Sequence, residues 1–196
     1  MNAGGWIFGI LFAAQAVAAA PTIKVQVHNA ANVPQSSVRR ALAEAVWILR
    51  QAGIEMQWIG CGNSVRESAE LPGCRPPTEP GLFVLSLLGE DSRAGSGSDA
   101  LGFAVLAGSR NGAAVIFSHV ASLRKDYPQY ADCDIAGAVI AHELGHLLLD
   151  SAKHGDGIMK ANWEPADLAA MRQRRLKFSQ AEAREMGANL ARRLVD

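Results

Sequence analysis

Ile135–Leu149, with the sequence IAGAVIAHELGHLLL, is apolar on nearly every side, and its few polar groups are His142, Glu143 and His146. A helix of this composition lies in the core of a domain. Residues four apart share one face of an α-helix, about 6 Å apart along its axis, so the imidazoles of His142 and His146 can close on one cation. Buried polar groups need partners, and a metal ion satisfies such a cluster more completely than scattered hydrogen bonds. The stretch therefore predicts a buried helix that carries a metal site.

Two features beside the histidine pair indicate chemistry as well as metal binding. Glu143 lies next to the pair, where a carboxylate can accept a proton from metal-bound water without becoming a ligand. His154 and then Gly157–Met159 follow shortly along the chain, so a third imidazole is available. Three protein ligands and an open fourth position are typical of a catalytic zinc site, whereas a structural site fills all four positions.

The segment His142–Trp163 resembles the metzincin clan of zinc metallopeptidases, whose pattern HExxHxxGxxH is followed by a turn containing Met. It is also similar to small exported bacterial proteins that carry HELGHLLL, a later His, the sequence GIM and a Trp, matched here by Trp163. The resemblance implies that Met159 forms an apolar floor beneath the metal and that Glu143 is the general base. It implies three Zn²⁺ ligands: His142, His146 and His154.

The chain departs from the metzincin pattern at the third ligand. The clan places its last His six residues after the second, but that position is Ala152 here, and His154 is eight residues after His146. The glycine at which the clan's chain leaves the helix is replaced by Leu149. Asp150 enters the left-handed region at modest cost, so we assign the turn to Asp150.

Other candidates for the third ligand are Glu164 and His119. Glu164 is near the distance at which thermolysin-like enzymes supply a glutamate, although Pro165 makes it a helix start. His119 follows the apolar alternation of a predicted strand, which the resemblance places at the sheet edge above the cleft, within reach of substrate. Asp150 is a poor candidate, because on a continued helix its Cα would lie roughly 12 Å along the axis from that of His142.

The remaining chain alternates strand-like and helix-like segments, which predicts an α+β domain with a mixed sheet. The resemblance implies a metzincin-like single domain with a twisted sheet of about five strands packed on two long helices, plus a C-terminal helix. Gly81–Leu88 is almost continuously apolar and should be central. In the first strand, His28 falls on the polar side of the alternation and should be exposed. The predicted strands are Thr22–His28, Glu55–Ile59, Gly81–Leu88, Leu101–Leu106 and Ala113–Val120.

Two further helices are predicted, one between the first two strands and one near the end of the chain. From Val38 to Leu49, apolar residues recur at helical spacing up to a stop at Gly53. Near the end of the chain, Ser179 with Glu182 forms a capping box that starts a C-terminal helix.

Met1–Ala20 has the pattern of an export signal. It contains a short apolar run followed by small residues in an A-x-A arrangement, which suits signal-peptidase cleavage. It lacks Lys and Arg, so an uncleaved N-terminal anchor is the alternative. Residues 21–196 then form one exported domain, periplasmic or extracellular.

The charges and cysteines agree with export. Lys and Arg number 19 and Asp and Glu number 19, so the balance of zero suggests neither nucleic acid nor an anionic membrane as partner. Cys61 and Cys74 flank a loop rich in Gly, Pro, Glu and Ser, where a disulfide is expected. Cys133 should be a small buried residue at a helix start.

These observations predict a secreted zinc-dependent peptidase, an endopeptidase by the resemblance, that acts as a monomer on peptide or protein substrates. A non-catalytic exported zinc-binding or interaction module is the alternative. Glu143 argues against the alternative, because a structural zinc site needs no adjacent base.

Overall fold

The computed structural model describes residues 20–63, 71–74, 79, 81–89, 100–106 and 112–195. The predicted export signal, apart from Ala20, lies outside these residues. Within them, no helix is long and apolar enough to cross a membrane. The strands are β1 Thr22–Asn29, β2 Glu55–Gly60, β3 Leu82–Leu88, β4 Gly102–Val105 and β5 Gly112–Ile116. The α-helices are α1 Gln35–Gln51, α2 Phe117–Asp126, α3 Asp132–Leu149, α4 Pro165–Arg172 and α5 Gln180–Arg193, and a 3₁₀ turn spans Gly157–Met159.

The five strands form one mixed sheet in the order β2-β1-β3-β5-β4. Neighbouring strands run parallel from β2 to β5, while β4 runs antiparallel to β5 and occupies one edge. β3 is the middle strand, as its continuous apolar run predicted. The α+β class, the mixed five-strand sheet and the C-terminal helix are confirmed.

The predicted strand Ala113–Val120 was too long. β5 ends at Ile116 and the chain turns directly into α2, so His119 lies on a helix. The edge strand is β4, which pairs with β5, so the expectation that β5 forms the edge was also wrong. A short apolar run is compatible with either a strand or a helix. Val120 is fully buried, as an apolar residue of a strand would be, but it lies on α2.

His28 is buried, with 1% of its surface exposed, so the prediction of a solvated side chain was wrong. β1 lies between β2 and β3, so it is an interior strand of the sheet. Gln26, on the same face of β1 as His28, is 2% exposed and donates from Nε2 to the carbonyl oxygen of Gly73, 2.9 Å away. The predicted disulfide between Cys61 and Cys74 is present.

α3 is the central helix of the domain. Every residue from Ile135 to Leu149 is buried, as the sequence predicted, and α3 packs against α1, α5 and the sheet. Cys133 is free and buried in the first turn of α3, also as predicted. Gly137 brings α1 close, because its missing side chain leaves room for the α1 backbone at Ala41.

Replacing Gly137 with alanine tests this close approach. An added Cβ would lie 2.6 Å from the carbonyl oxygen of Ala41 and 2.6 Å from Cβ of Glu44. We expect Gly137→Ala to lower the free energy of unfolding by about 1–3 kcal/mol, because overpacking outweighs the higher helix propensity of alanine. Urea denaturation measures the change.

Gly187→Ala in α5 is the matched control. At this helical glycine, no described atom beyond its own helical turns lies within 4 Å of an added Cβ. This variant should therefore gain up to about 1 kcal/mol from helix propensity alone. Equal gains in the two variants would show that α1 and α3 do not pack as described.

Candidate metal centre

The structure brings three of the predicted site residues together. The Nε2 atoms of His142 and His146 lie 3.1 Å apart, one helical turn apart on α3. The ring of His154 lies against both, with centroid distances of 5.4 Å to His142 and 4.9 Å to His146. One nitrogen from each of the three residues lies within 4.8 Å of the others, so the cluster can hold a metal ion.

Backbone carbonyls orient the two buried rings. His142 Nδ1 lies 2.7 Å from the carbonyl oxygen of Ile158, and His146 Nδ1 lies 2.8 Å from that of Ser151. Since a carbonyl oxygen only accepts, each Nδ1 carries the proton and each Nε2 presents a lone pair. Two lone pairs therefore face each other at 3.1 Å, an arrangement that a cation between them would relieve.

The Gly157–Met159 turn packs against α3 and contacts His142 through the carbonyl oxygen of Ile158. Ile158 and Met159 are fully buried, and the carbonyl oxygen of Ile158 also accepts from Trp163 Nε1 at 3.2 Å. Gly145, inside HELGH, is needed here because an added Cβ would lie 2.7 Å from both Met159 Sδ and Phe178 Cε1. The sequence HELGH and the GIM turn are thus fitted to each other.

Asp150 forms the turn out of α3, as predicted. Its φ of 52° and ψ of 42° place it in the left-handed region, and its N–H donates to the carbonyl oxygen of His146. The N–H of Ser151 donates to the same oxygen at 3.1 Å. This turn brings the Ser151 carbonyl oxygen within hydrogen-bonding distance of His146 Nδ1. The way in which α3 ends therefore also determines how the His146 ring is oriented.

The connection from His146 to His154, which is longer than in the metzincin pattern, is held in place next to His154. The N–H of Gly155 donates to the carbonyl oxygen of Met159, 2.9 Å away. Gly155 also lies against Glu182 Oε1 at the start of α5, so closely that a Cβ there would clash. The eight-residue step from His146 is therefore accommodated by a loop that is hydrogen-bonded to the Gly157–Met159 turn and passes close to α5.

Two α5 residues that sequence reasoning missed support the end of α3. Asn189 Nδ2 donates to the carbonyl oxygen of Leu148 at 3.0 Å, and Arg193 Nη2 donates to that of Leu147 at 2.8 Å. Arg193 Nη2 also lies 3.6 Å from Asp150 Oδ1. The last carbonyls of a helix always need partners, but nothing in the sequence identified these partners.

Burial sets the protonation of the site. Burial lowers the pKa of His142 to about 4, against the opposing effect of its hydrogen bond to Ile158, and also lowers the pKa of His146. Both rings are therefore neutral at pH 7, the form that binds metals. Burial also raises the pKa of Glu143, which is 5% exposed, to about 8.

The cluster opens on a cavity of about 730 Å³. One wall is the edge strand β4 with the residues before it, and Lys160 and Asn162 lie beyond the GIM turn. Its large apolar lining residues are Leu101, Phe103, Leu106, Leu123, Val139 and Trp163. His142, Glu143, His146 and His154 all line this cavity.

The other candidate ligands lie elsewhere. Glu164 is exposed at the N-cap of α4, where its N–H donates to Asp167 Oδ2 at 2.9 Å, which confirms its predicted role as a helix start. His119 points its Nδ1 at the carbonyl oxygen of Ala100, 2.7 Å away. Asp150 is exposed at the end of α3.

Comparison with solved structures bears on the fold. No family model matches the sequence, and no curated protein matches it. Among solved structures, archaemetzincin from Methanopyrus kandleri is similar over 90% of this chain and 99% of its own, with a TM-score of 0.52 and 18% identity. At that identity the likeness shows a shared metzincin-like α+β fold and no more.

Proposed function

We propose that this protein is a zinc-dependent peptidase in which His142, His146 and His154 bind Zn²⁺ and Glu143 is the general base. The observation that carries the proposal is the pair of Nε2 lone pairs facing each other 3.1 Å apart, with a third imidazole beside them. The fold shared with archaemetzincin supports the proposal independently.

The donor set fits zinc. Zn–N distances of about 2.0–2.1 Å in a tetrahedral site place ligand atoms about 3.3 Å apart, close to the separation of the His142 and His146 nitrogens. Neutral imidazoles suit zinc, and Cys133, the free thiol among the described residues, is buried in the first turn of α3, well away from His142. Three protein ligands leave a fourth position open, as in catalytic sites.

Glu143 supplies the proton transfers. Zinc held by the three histidines would supply Lewis acidity, which would activate a water molecule and polarise a carbonyl group. A nearby cation favours the carboxylate form of Glu143 and so opposes the effect of burial. The carboxylate can then take the proton from the attacking water and deliver it to the leaving amine.

The cavity suits an extended peptide. β4 pairs with β5 on one side only and its residues line the cavity, so a substrate strand could add along its other edge through backbone hydrogen bonds. Such binding would extend on both sides of the scissile bond, as endopeptidase action requires. The Cys61–Cys74 disulfide supports an oxidising compartment, and with it the proposed division into a signal at residues 1–20 and an exported domain at 21–196.

A non-catalytic zinc module is the competing proposal. It would account for the three histidines, but it leaves Glu143 without a purpose, although burying a carboxyl group there is costly. A cavity beside the metal cluster, lined by an edge strand, is likewise unnecessary for a purely structural site.

Replacing His154 tests whether it is the third zinc ligand. His154→Ala should reduce zinc affinity by at least about a hundredfold, since even indirect supports of a metal site are worth 10–100-fold. Glu164→Ala is the matched control and should leave affinity unchanged, because Glu164 caps α4. Isothermal titration with zinc measures both variants, and the reverse pattern would assign the ligand to Glu164.

Catalysis can be separated from metal binding at Glu143. Glu143→Gln should keep one zinc per chain but lose at least about a hundredfold in hydrolysis of fluorescein-labelled casein, because the base is gone while the ligands remain. Metal analysis accompanies the assay. Zinc-loaded wild type and variant that are equally inert on casein and on a peptide library would exclude the peptidase.

A further inference from the structure

His119 lies outside the cavity but is hydrogen-bonded to a residue that lines it. It is half-buried on α2, and its Nδ1 lies 2.7 Å from the carbonyl oxygen of Ala100, which precedes β4. Because a carbonyl oxygen only accepts, Nδ1 carries the proton and donates. Ala100 lines the cavity, whereas His119 does not.

The element that carries His119 is firmly placed. Val120, the next residue on α2, is fully buried, and α2 packs on α3 and β3. Leu123, one turn further along α2, lines the same cavity as Leu101, the residue after Ala100. The His119 hydrogen bond therefore joins a fixed helix to the start of the edge strand.

The edge strand β4 pairs with one neighbouring strand and packs against α3. β4 is four residues long and pairs with β5 on one side through Gly102–Val105. A strand at a sheet edge has one ladder of hydrogen bonds, and so short a strand gains little from it. The hydrogen bond at Ala100, just before the strand begins, adds an attachment to this short ladder.

We propose that His119 is a positioning residue that holds the β4 wall of the cleft for substrate through Ala100, without touching the substrate. This inference rests on the proposed peptidase function. Losing the hydrogen bond should loosen the wall and weaken substrate binding, while the metal cluster and Glu143 on α3 remain in place.

The test uses three substitutions in the full-length, zinc-loaded protein. Asparagine places its amide N–H close to where His119 holds Nδ1, whereas glutamine places its amide one bond further out and alanine has no donor. His119→Ala and His119→Gln should raise KM for a quenched-fluorescence peptide from a casein site that wild type cleaves, by about three- to tenfold, with kcat changed by less than about twofold. His119→Asn should restore KM.

Hydrogen exchange of residues 100–106, followed by mass spectrometry, provides a readout without activity. Exchange should rise in the alanine and glutamine variants and stay at the wild-type level in the asparagine variant. Unchanged KM and unchanged exchange in all three variants would overturn the proposal while leaving the peptidase intact. A kcat loss in His119→Asn equal to that in His119→Ala would mean that His119 acts on substrate directly, which also contradicts it.

The two proposals fail in different ways. If wild type cleaves nothing, the peptidase function fails and the substrate role of His119 fails with it. The exchange measurement then still decides whether His119 holds Ala100: no rise in the alanine and glutamine variants would refute that contact as well.

Discussion

The Nε2 atoms of His142 and His146 face each other 3.1 Å apart on a buried helix, each with a lone pair directed at the other. Much of the surrounding structure holds the two rings in this position. Each ring is fixed by a carbonyl that comes from outside α3: Ile158 for His142 and Ser151 for His146. Burial lowers the pKa of both rings, so protonation does not relieve the contact at neutral pH. A cation is the partner that satisfies both nitrogens at once.

The path of the chain after α3 follows from the same constraint. Asp150 adopts the left-handed conformation so that Ser151 can accept from His146, and α5 supplies Asn189 and Arg193 to the carbonyls left open at the helix end. The loop to His154 is two residues longer than in the metzincin pattern. It is hydrogen-bonded at Gly155 to the Gly157–Met159 turn and passes close to Glu182, and the extra length does not prevent His154 from reaching the cluster.

Features that depend on neighbouring residues could be predicted from the sequence, whereas contacts between distant segments could not. The buried helix, the turn at Asp150 and the capping box at Ser179 all follow from residues next to one another, and each is present. His28 was misjudged because its face of β1 is buried in the folded domain, where Gln26 on the same face contacts Gly73, a residue distant in sequence. The helix α2 was missed because Phe117 and Val120 suit either a strand or a helix, and the contacts of Asn189 and His119 join segments that no spacing rule connects.

The coordination of zinc in the loaded protein is the most direct test of the three-histidine site. X-ray absorption at the zinc edge, on protein with one equivalent of metal, should show three imidazoles and one further light ligand at about 2.0–2.1 Å. A sulfur ligand, fewer than three imidazoles, or failure to retain one zinc per chain would contradict the site as described.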